Sequence, residues 1–310
     1  MGAAALSRVI AVVNGKGGVL KTSVSTNVAG LLAADGMRVL LLNMDTQSNA
    51  NLDLGLADEP ADDLGKSVVD AVWYGHDLRI FKDARPGLDY VFGGRGLAML
   101  EQLSSSSMAA DLPSGSAPAE FAKRLAEFAG EYDVVIIDCP PGKEGLQDCA
   151  LAAARWVLVP TKTDQGSRDG LLEIGPRVKR ARQINPGIDY LGVVITDHGQ
   201  SATRILAKTR KTLDADLGER VPLFSSFIRH SQKVAQDSRD RGQLVHEIAR
   251  DAAESKAARL AALRARREGE VVEMPETLSD AAHALAGDYR GLARELCERL
   301  TAAETVKAGA

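Results

Sequence analysis

The chain has few aromatic residues, few cysteines and no excess of positive charge, and each scarcity excludes a class of protein. Aromatic side chains make up 4% of the 310 residues, so Val, Ile, Leu and Ala must build the core. The cysteines Cys139, Cys149 and Cys297 form no close pair, which argues against a disulfide framework or a zinc site and indicates a reducing, cytoplasmic setting. Because the net charge is −4, any nucleic-acid binding must come from a local basic patch.

Long apolar runs and targeting signals are scarce as well. No apolar stretch approaches the roughly 20 residues that a membrane-spanning helix needs. Residues 1–7 lack the basic start and the cleavage site of a signal peptide. The pattern predicts a cytoplasmic protein without a membrane segment.

Short apolar runs alternate with segments of helical periodicity along most of the chain. The apolar runs that read as buried strands are residues 9–13, 39–42, 134–137, 156–159 and 191–195. The helical segments are residues 21–34, 118–128, 170–183 and 202–213. This alternation predicts an α/β fold with a doubly wound, mostly parallel sheet flanked by helices. We expect one such domain over residues 1–246, with an irregular stretch at 58–116, and a helical extension over 247–310 that packs on the domain or projects from it.

A glycine-rich segment links the first predicted strand to the first predicted helix. It reads Asn-Gly-Lys-Gly-Gly-Val-Leu-Lys-Thr-Ser over residues 14–23. Small residues let backbone N–H groups face phosphate oxygens, and the helix N-terminus adds partial positive charge. A glycine-rich turn without a ligand is the alternative, but the Lys-Thr pair at this offset favours a P-loop. The predicted nucleotide contacts are Gly15, Lys16, Gly17, Gly18, Val19, Leu20, Lys21, Thr22 and Ser23.

Within this loop, Lys21 is expected to reach the β- and γ-phosphates of ATP, and the Thr22 hydroxyl to bind Mg²⁺. Leu20 departs from the usual pattern, which has glycine directly before the Lys-Thr pair. A leucine there could crowd the phosphates or strain the backbone, because glycine adopts conformations that leucine resists. The departure therefore bears on how fast the protein hydrolyses ATP.

The position of Lys16 ahead of Gly17 and Gly18 resembles the deviant Walker A motif of the ParA/MinD family of P-loop ATPases. The resemblance implies that Lys16 is the family's signature lysine, which reaches across an ATP-sandwich dimer to the partner's phosphates. A cation delivered in this way offsets charge on the transferring phosphoryl group, as an arginine finger does. A solvent-exposed lysine without this role is the plainer interpretation.

Two aspartates follow predicted strands and complete the resemblance. Asp45 matches the family aspartate that orients the attacking water, although Asn43 and Thr46 replace its usual neighbours. Its alternative role is to cap the next turn. Asp138 ends an apolar strand in the manner of a Walker B motif and is expected to hold Mg²⁺, through a water.

The resemblance covers residues 8–54 closely and residues 130–245 in outline. It implies base contacts near Thr196 and Ile228, the latter standing where the family usually has proline. Arg204 and Lys233 match basic positions that contact DNA phosphates, which would give salt-sensitive binding without sequence preference. Ordinary solvated helix faces are the alternative for these basic residues. The basic run at 256–267 could equally serve a partner.

Taken together, these residues predict a cytoplasmic, nucleoid-associated partition ATPase. The expected partners are a second copy of the chain in an ATP-dependent dimer or polymer, non-specific double-stranded DNA and a ParB-like centromere-binding protein. One alternative is a nucleotide-responsive scaffold, DNA-binding or filament-forming, with weak turnover because of Leu20. The other is a MinD-like positioning ATPase on a membrane, which the acidic residues Glu295 and Glu298 of the last predicted helix disfavour.

Overall fold

Eight β-strands form one sheet in the computed structural model, which describes residues 5–104, 106, 112–199, 203–218, 221–267 and 281–308. The strands are β1 (Val9–Val12), β2 (Val39–Asn43), β3 (Phe81–Arg85), β4 (Leu88–Val91), β5 (Val134–Asp138), β6 (Trp156–Thr161), β7 (Asp189–His198) and β8 (Leu223–Arg229). Their order is β3-β4-β2-β5-β1-β6-β7-β8. All neighbours run parallel except β3 and β4. The predicted fold class is confirmed.

The central strands are buried on both faces, which explains their nearly continuous apolar sequences. In β1, Val9 and Ala11 join one hydrophobic cluster, and Ile10 and Val12 join another on the opposite face. This alternation follows from the two-residue repeat of a strand. Because β2, β5, β1 and β6 are adjacent and parallel, the loops after their carboxyl ends meet at one edge of the sheet.

Helices cover both faces of the sheet. Those that the structure describes are α1 (Lys21–Ala34), α2 (Asn49–Asp53), α3 (Lys66–Tyr74), α4 (Leu97–Ser104), α5 (Ala117–Ala126), α6 (Glu144–Ala153), α7 (Gln165–Leu172), α8 (Ile174–Ala181), α9 (Thr203–Leu217), α10 (Gln232–Arg241), α11 (Val245–Arg267) and α12 (Ala281–Ala308). A short 3₁₀ turn, Ala129–Glu131, precedes β5.

The helix predicted over residues 170–183 is two helices, α7 and α8, and the first begins five residues earlier than predicted. Asp164 caps the start of α7 by accepting a hydrogen bond from the backbone N–H of Ser167. Pro176 lacks the N–H that would bond to the carbonyl of Leu172 in a continuous helix. The break therefore falls where proline cannot continue the ladder.

The stretch that the sequence left irregular, 58–116, contains regular elements in its described part. They are α3, the hairpin of β3 and β4, and α4. The hairpin turns at Pro86 and Gly87, and Gly87 has a φ of 79°. Strand β3 reads Phe-Lys-Asp-Ala-Arg and lies at the sheet edge, so it lacks the apolar run that predicts a buried strand.

Two long helices make up the C-terminal part of the chain. Helix α11 ends at Arg267, residues 268–280 lie outside the described ranges, and α12 spans 28 residues. The apolar face of α12 packs on the same cluster as α1 and β8, through Leu285, Tyr289, Leu292, Leu296 and Leu300. Among the described residues, no helix combines the length and the apolar character needed to cross a membrane.

Candidate nucleotide-binding site

The side chain of Asn14 holds the loop between β1 and α1 through two hydrogen bonds. Its amide donates to the carbonyl of Pro160 at 2.9 Å and its side-chain oxygen accepts from the backbone N–H of Lys16 at 2.9 Å. Gly18 has a φ of 74° and open space around its α-carbon. The loop thereby takes the glycine-dependent shape that the sequence predicts, and α1 begins directly after it at Lys21.

A cavity of about 310 Å³ opens above this loop. We call it the phosphate cavity, and its walls include Gly18, Leu20, Lys21, Thr22, Ser23, Asp45, Thr46 and Arg239. Lys21 is only 6% exposed, and its Nζ donates to the carbonyl of Lys16 at 2.9 Å. Burial lowers the pKa of Lys21, while the charges of Asp138 and Asp45 partly restore it. A buried, positively charged amine with one backbone partner suits an anionic ligand.

Leu20 lies between the loop and α1 in a left-handed conformation, with φ 62° and ψ 28°. This conformation costs a residue with a Cβ atom about 1–2 kcal/mol, and glycine adopts it freely. The departure from the usual glycine thus falls at a position whose backbone favours glycine. The Leu20 side chain packs partly against the hydrophobic cluster that contains α12.

The residues predicted to hold Mg²⁺ lie together at the carboxyl end of β5. Asp138 is fully buried, its Oδ1 accepts from the Ser25 hydroxyl at 2.9 Å and its Oδ2 has no partner. Burial raises the pKa of Asp138 to about 7, and the charge of Asp45 adds to the rise. The neighbouring Thr22 hydroxyl lines the phosphate cavity. An unpartnered carboxylate oxygen beside a hydroxyl fits a magnesium ion.

No cluster of three or more His, Cys, Asp or Glu side chains suited to a metal occurs in the ranges that the structure describes. At a nucleotide site Mg²⁺ uses one or two protein ligands and fills its shell with phosphate oxygens and water.

Asp45 follows β2 and faces the same cavity at 5% exposure. Its Oδ1 accepts from the backbone N–H of Gln47 at 3.0 Å, and its own N–H donates to the Asn43 side chain at 2.8 Å. Asn43 in turn donates to the Tyr90 hydroxyl at 2.9 Å. Asn43, which replaces a usual neighbour of the family's aspartate, therefore orients Asp45 within a buried hydrogen-bond network.

Lys16 points away from this cavity and is not among the residues that line it. Its Nζ forms an ion pair with Asp164 at 2.7 Å, and both side chains are more than 40% exposed. The hydrogen bond from Lys16 is the main reason why the pKa of Asp164 lies well below its usual range. Sequence reasoning missed Asp164, although its spacing to Ser167 is a helix-cap signal.

A second cavity of about 230 Å³, the adjoining cavity, shares Leu20, Ser23 and Arg239 with the phosphate cavity. Its other walls include Asn27, Asp53, Asp197, Arg229, His230, Leu285 and Tyr289. The two cavities therefore adjoin, an arrangement that would let a nucleotide place its phosphates in one and its nucleoside in the other.

The predicted base contacts, Thr196 and Ile228, are both fully buried. The Thr196 hydroxyl donates to the carbonyl of Val19 at 3.1 Å and so supports the phosphate loop, and Ile228 joins the hydrophobic core. Their chain neighbours Asp197 and Arg229 line the adjoining cavity instead.

Asp53 is a further residue that the sequence did not single out. It is 4% exposed in the wall of the adjoining cavity, with Arg239 at 3.6 Å and the Thr26 hydroxyl at 3.3 Å. Burial raises its pKa to about 6 despite these two partners. Only the fold brings α2, α10 and α1 together here, so no local pattern could have identified it.

The candidate DNA contacts lie on two separate helices. Lys233 is exposed near the start of α10. Arg204 belongs to α9, and its side chain lies outside what the structure describes.

Comparison with known proteins finds relatives for most of the chain. Residues 7–190 match the family described as AAA domain. The chain is 30% identical over 238 residues to the chromosome partitioning protein ParA of Caulobacter vibrioides, which covers 74% of this chain and 83% of that protein.

Solved structures share the architecture. Apo McdA from Cyanothece has a TM-score of 0.66 at 20% identity, over 77% of this chain and 92% of that one, which shows the fold. A cobyrinic acid a,c-diamide synthase from Mycobacterium smegmatis, with a bound ATP analogue and magnesium, has a TM-score of 0.60 at 26% identity, over 88% of this chain and 99% of that one.

A phosphate loop at the carboxyl ends of parallel strands, with a lysine, a hydroxyl and an aspartate lining one cavity and a second aspartate buried beside them, is typical of the nucleotide site of P-loop proteins. The chain belongs to the ParA/MinD family of P-loop ATPases and lies close to the ParA partitioning proteins. Members of this family bind nucleotide with magnesium.

Proposed function

We propose that this protein is a partition ATPase that binds Mg-ATP, dimerises around the nucleotide, coats DNA without sequence preference and hydrolyses ATP when a ParB-like partner engages it. The observation that carries the proposal is that Lys21 and Asp45 line one phosphate cavity, while the buried carboxylate of Asp138 lies close enough to Lys21 to raise its pKa. The 30% identity to a chromosome partitioning protein supports the same role.

In this proposal the buried amine of Lys21 neutralises charge on the β- and γ-phosphates. Asp45 accepts a hydrogen bond from the attacking water and aligns its oxygen with the γ-phosphorus. As the new oxygen–phosphorus bond forms, the bond to the bridging oxygen breaks and its electron pair leaves with ADP. Thr22 and Asp138 would hold magnesium, which supplies further charge neutralisation at the phosphates.

Lys16 would act on the partner's nucleotide. Its exposed position outside its own phosphate cavity leaves it available to a second copy of the chain. The ion pair with Asp164 must open first, and exposed pairs of this kind are worth about 1 kcal/mol or less. Such a small cost is compatible with a lysine that changes partners when the dimer forms.

DNA binding and a cytoplasmic, nucleoid-associated location follow from the same proposal. With a net charge of −4, attraction to DNA has to come from basic positions such as Arg204 and Lys233. Phosphate contacts of this type depend on salt and carry little sequence information.

Fluorescence anisotropy of a labelled random-sequence duplex tests the proposal. We expect binding with Mg-ATP, little binding with Mg-ADP or without nucleotide, and a steep loss of affinity as salt rises. Lys233→Gln should weaken binding equally for all sequences, whereas Lys66→Gln, which changes an exposed lysine on α3, should not. Binding that is equally strong without nucleotide would contradict the ATP-dependent step.

The second candidate, a nucleotide-responsive scaffold with weak turnover, is favoured by the left-handed Leu20. The membrane alternative finds less support, because the large apolar side chains of α12 are buried against the domain. Co-sedimentation with liposomes in the presence of Mg-ATP should detect no membrane binding.

A further inference from the structure

The C-terminal helix α12 reaches the candidate nucleotide site. Leu285 and Tyr289 of α12 line the adjoining cavity, together with Leu20 and Ser23 of the phosphate loop. Both are at most 4% exposed, so they are firmly packed parts of the wall. Nucleoside contacts in a P-loop site need not come from the loop region alone.

Asp288, which lies between them in sequence, holds Arg229 at the end of β8. Its carboxylate accepts from the Arg229 guanidinium at 2.6 and 2.7 Å and from the Arg229 backbone N–H at 3.0 Å. The Asp288 side chain is 8% exposed. Bidentate, charge-assisted pairs of this kind fix orientation as well as adding energy. Because Arg229 lines the adjoining cavity, Asp288 determines where that cationic wall stands.

Tyr289 contacts Ser23, which lies in the wall of both cavities. Burial raises the pKa of its phenol far above the usual range, and the adjacent Ser23 side chain partly offsets the rise. The hydroxyl is therefore neutral and protonated at any physiological pH, and it remains available as a donor or acceptor beside Ser23.

We propose that α12 is a working part of the nucleoside site, in which Asp288 positions Arg229 and Tyr289 positions Ser23, so that nucleoside binding and docking of α12 are coupled. This inference rests on the proposed function, since it concerns the same nucleotide. By linkage, a ligand that fills the adjoining cavity must stabilise the docked helix by as much as the docked helix stabilises the ligand.

The chain offers a matched control on the same helix. Glu295 accepts from the backbone N–H groups of Ser225 and Ser226, both at 2.8 Å, and so ties α12 to β8 as Asp288 does. It does not line the adjoining cavity. Asp288→Asn and Glu295→Gln thus remove similar contacts between α12 and β8, and only the first lies at the site.

Calorimetry with two ligands separates positioning from general packing. Mg-ATP fills both cavities, whereas inorganic tripolyphosphate with magnesium fills only the phosphate cavity. We expect Asp288→Asn to weaken Mg-ATP binding about tenfold and tripolyphosphate binding less than about twofold, because a charge-assisted pair is lost on the nucleoside side only. Glu295→Gln should leave both affinities unchanged.

Amide hydrogen exchange on the wild-type chain provides a second measurement that needs no variant. Mg-ATP should slow exchange over residues 285–292 of α12 more than tripolyphosphate does. Equal protection by the two ligands, equal weakening of both ligands by Asp288→Asn, or an effect of Glu295→Gln as large as that of Asp288→Asn would each overturn the inference. Wild-type protein that binds no Mg-ATP would overturn the proposed function itself, and the inference with it.

Discussion

Leu20 is the residue at which sequence and backbone geometry conflict most directly. Its φ of 62° lies in the left-handed region, at the junction of the phosphate loop and α1. Strain of about 1–3 kcal/mol at such positions persists only where surrounding contacts hold it, and here the Leu20 side chain packs against the cluster containing α12. The left-handed residue of the loop is thus held by the same hydrophobic cluster to which α12 belongs.

Two substitutions separate the backbone strain of Leu20 from its bulk. Leu20→Gly removes both, whereas Leu20→Ala removes the bulk and keeps a Cβ atom in the left-handed conformation. We expect the Gly variant to be more stable than the Ala variant by about 1 kcal/mol in urea denaturation. ATP hydrolysis should rise in Leu20→Gly above the native rate. A native rate that already matches or exceeds that of the Gly variant would remove the motive for the weak-turnover scaffold.

Asp53 gives a pH-dependent prediction. Its folded-state pKa of about 6 exceeds the value of 3.8 expected for an unfolded chain, so the folded state holds the proton more tightly. The resulting stability is full below about pH 4 and is lost as pH rises through about 6. Asparagine does not titrate, so only the wild type loses this stability. The free energy of unfolding of Asp53→Asn minus that of wild type should therefore be about 3 kcal/mol larger at pH 8 than at pH 3.5.

The measurement is urea denaturation of both proteins across this pH range, with Asp58→Asn as a control for an exposed aspartate. A difference between wild type and Asp53→Asn that does not change with pH would mean that Asp53 is not strongly desolvated in the folded chain.

At the scale of elements, the sequence predicted the strands that helices cover on both faces of the sheet. Strands β1, β2, β5, β6 and the middle of β7 are apolar runs, because helices cover them on each side. Strand β3 was missed because an edge strand does not need an apolar sequence, and β4 was missed because it has only four residues, one of them the charged Asp89. Asp53 and Asp288 were missed for a different reason, since their partners Arg239 and Arg229 lie far along the chain, whereas Asp164 also has a local partner in Ser167.

Packing of α12 is testable by truncating its buried face. Leu292 is fully buried in the cluster that α12 shares with α1 and β8, so Leu292→Ala should lower the free energy of unfolding by about 2–4 kcal/mol. Leu260 on α11 is 54% exposed, and Leu260→Ala should change it by less than about 0.5 kcal/mol. Similar effects of the two substitutions in urea denaturation would argue against a docked α12.

At the scale of the whole molecule, one edge of the sheet concentrates the chemistry. The start of α1 and the residues after β2 supply the lysine, the hydroxyl and Asp45 of the phosphate cavity, and Asp138 is buried at the end of β5. The carboxyl ends of β7 and β8 line part of the adjoining cavity. Helix α12 contributes Leu285 and Tyr289 to the wall of the adjoining cavity. Lys16 forms an exposed ion pair with Asp164 outside the phosphate cavity, and in the proposed dimer it would exchange this partner for the second copy's nucleotide.

Isothermal calorimetry of Mg-ATP binding to the wild-type chain and to Lys21→Ala tests the central claim most directly. The account predicts saturable binding of one nucleotide per chain and a loss of affinity of at least about tenfold in Lys21→Ala, because the substitution removes the buried cation of the phosphate cavity. Lys66→Ala, as a control, should bind like wild type. Absence of binding by the wild-type chain at millimolar Mg-ATP, or an unchanged affinity in Lys21→Ala, would contradict the account.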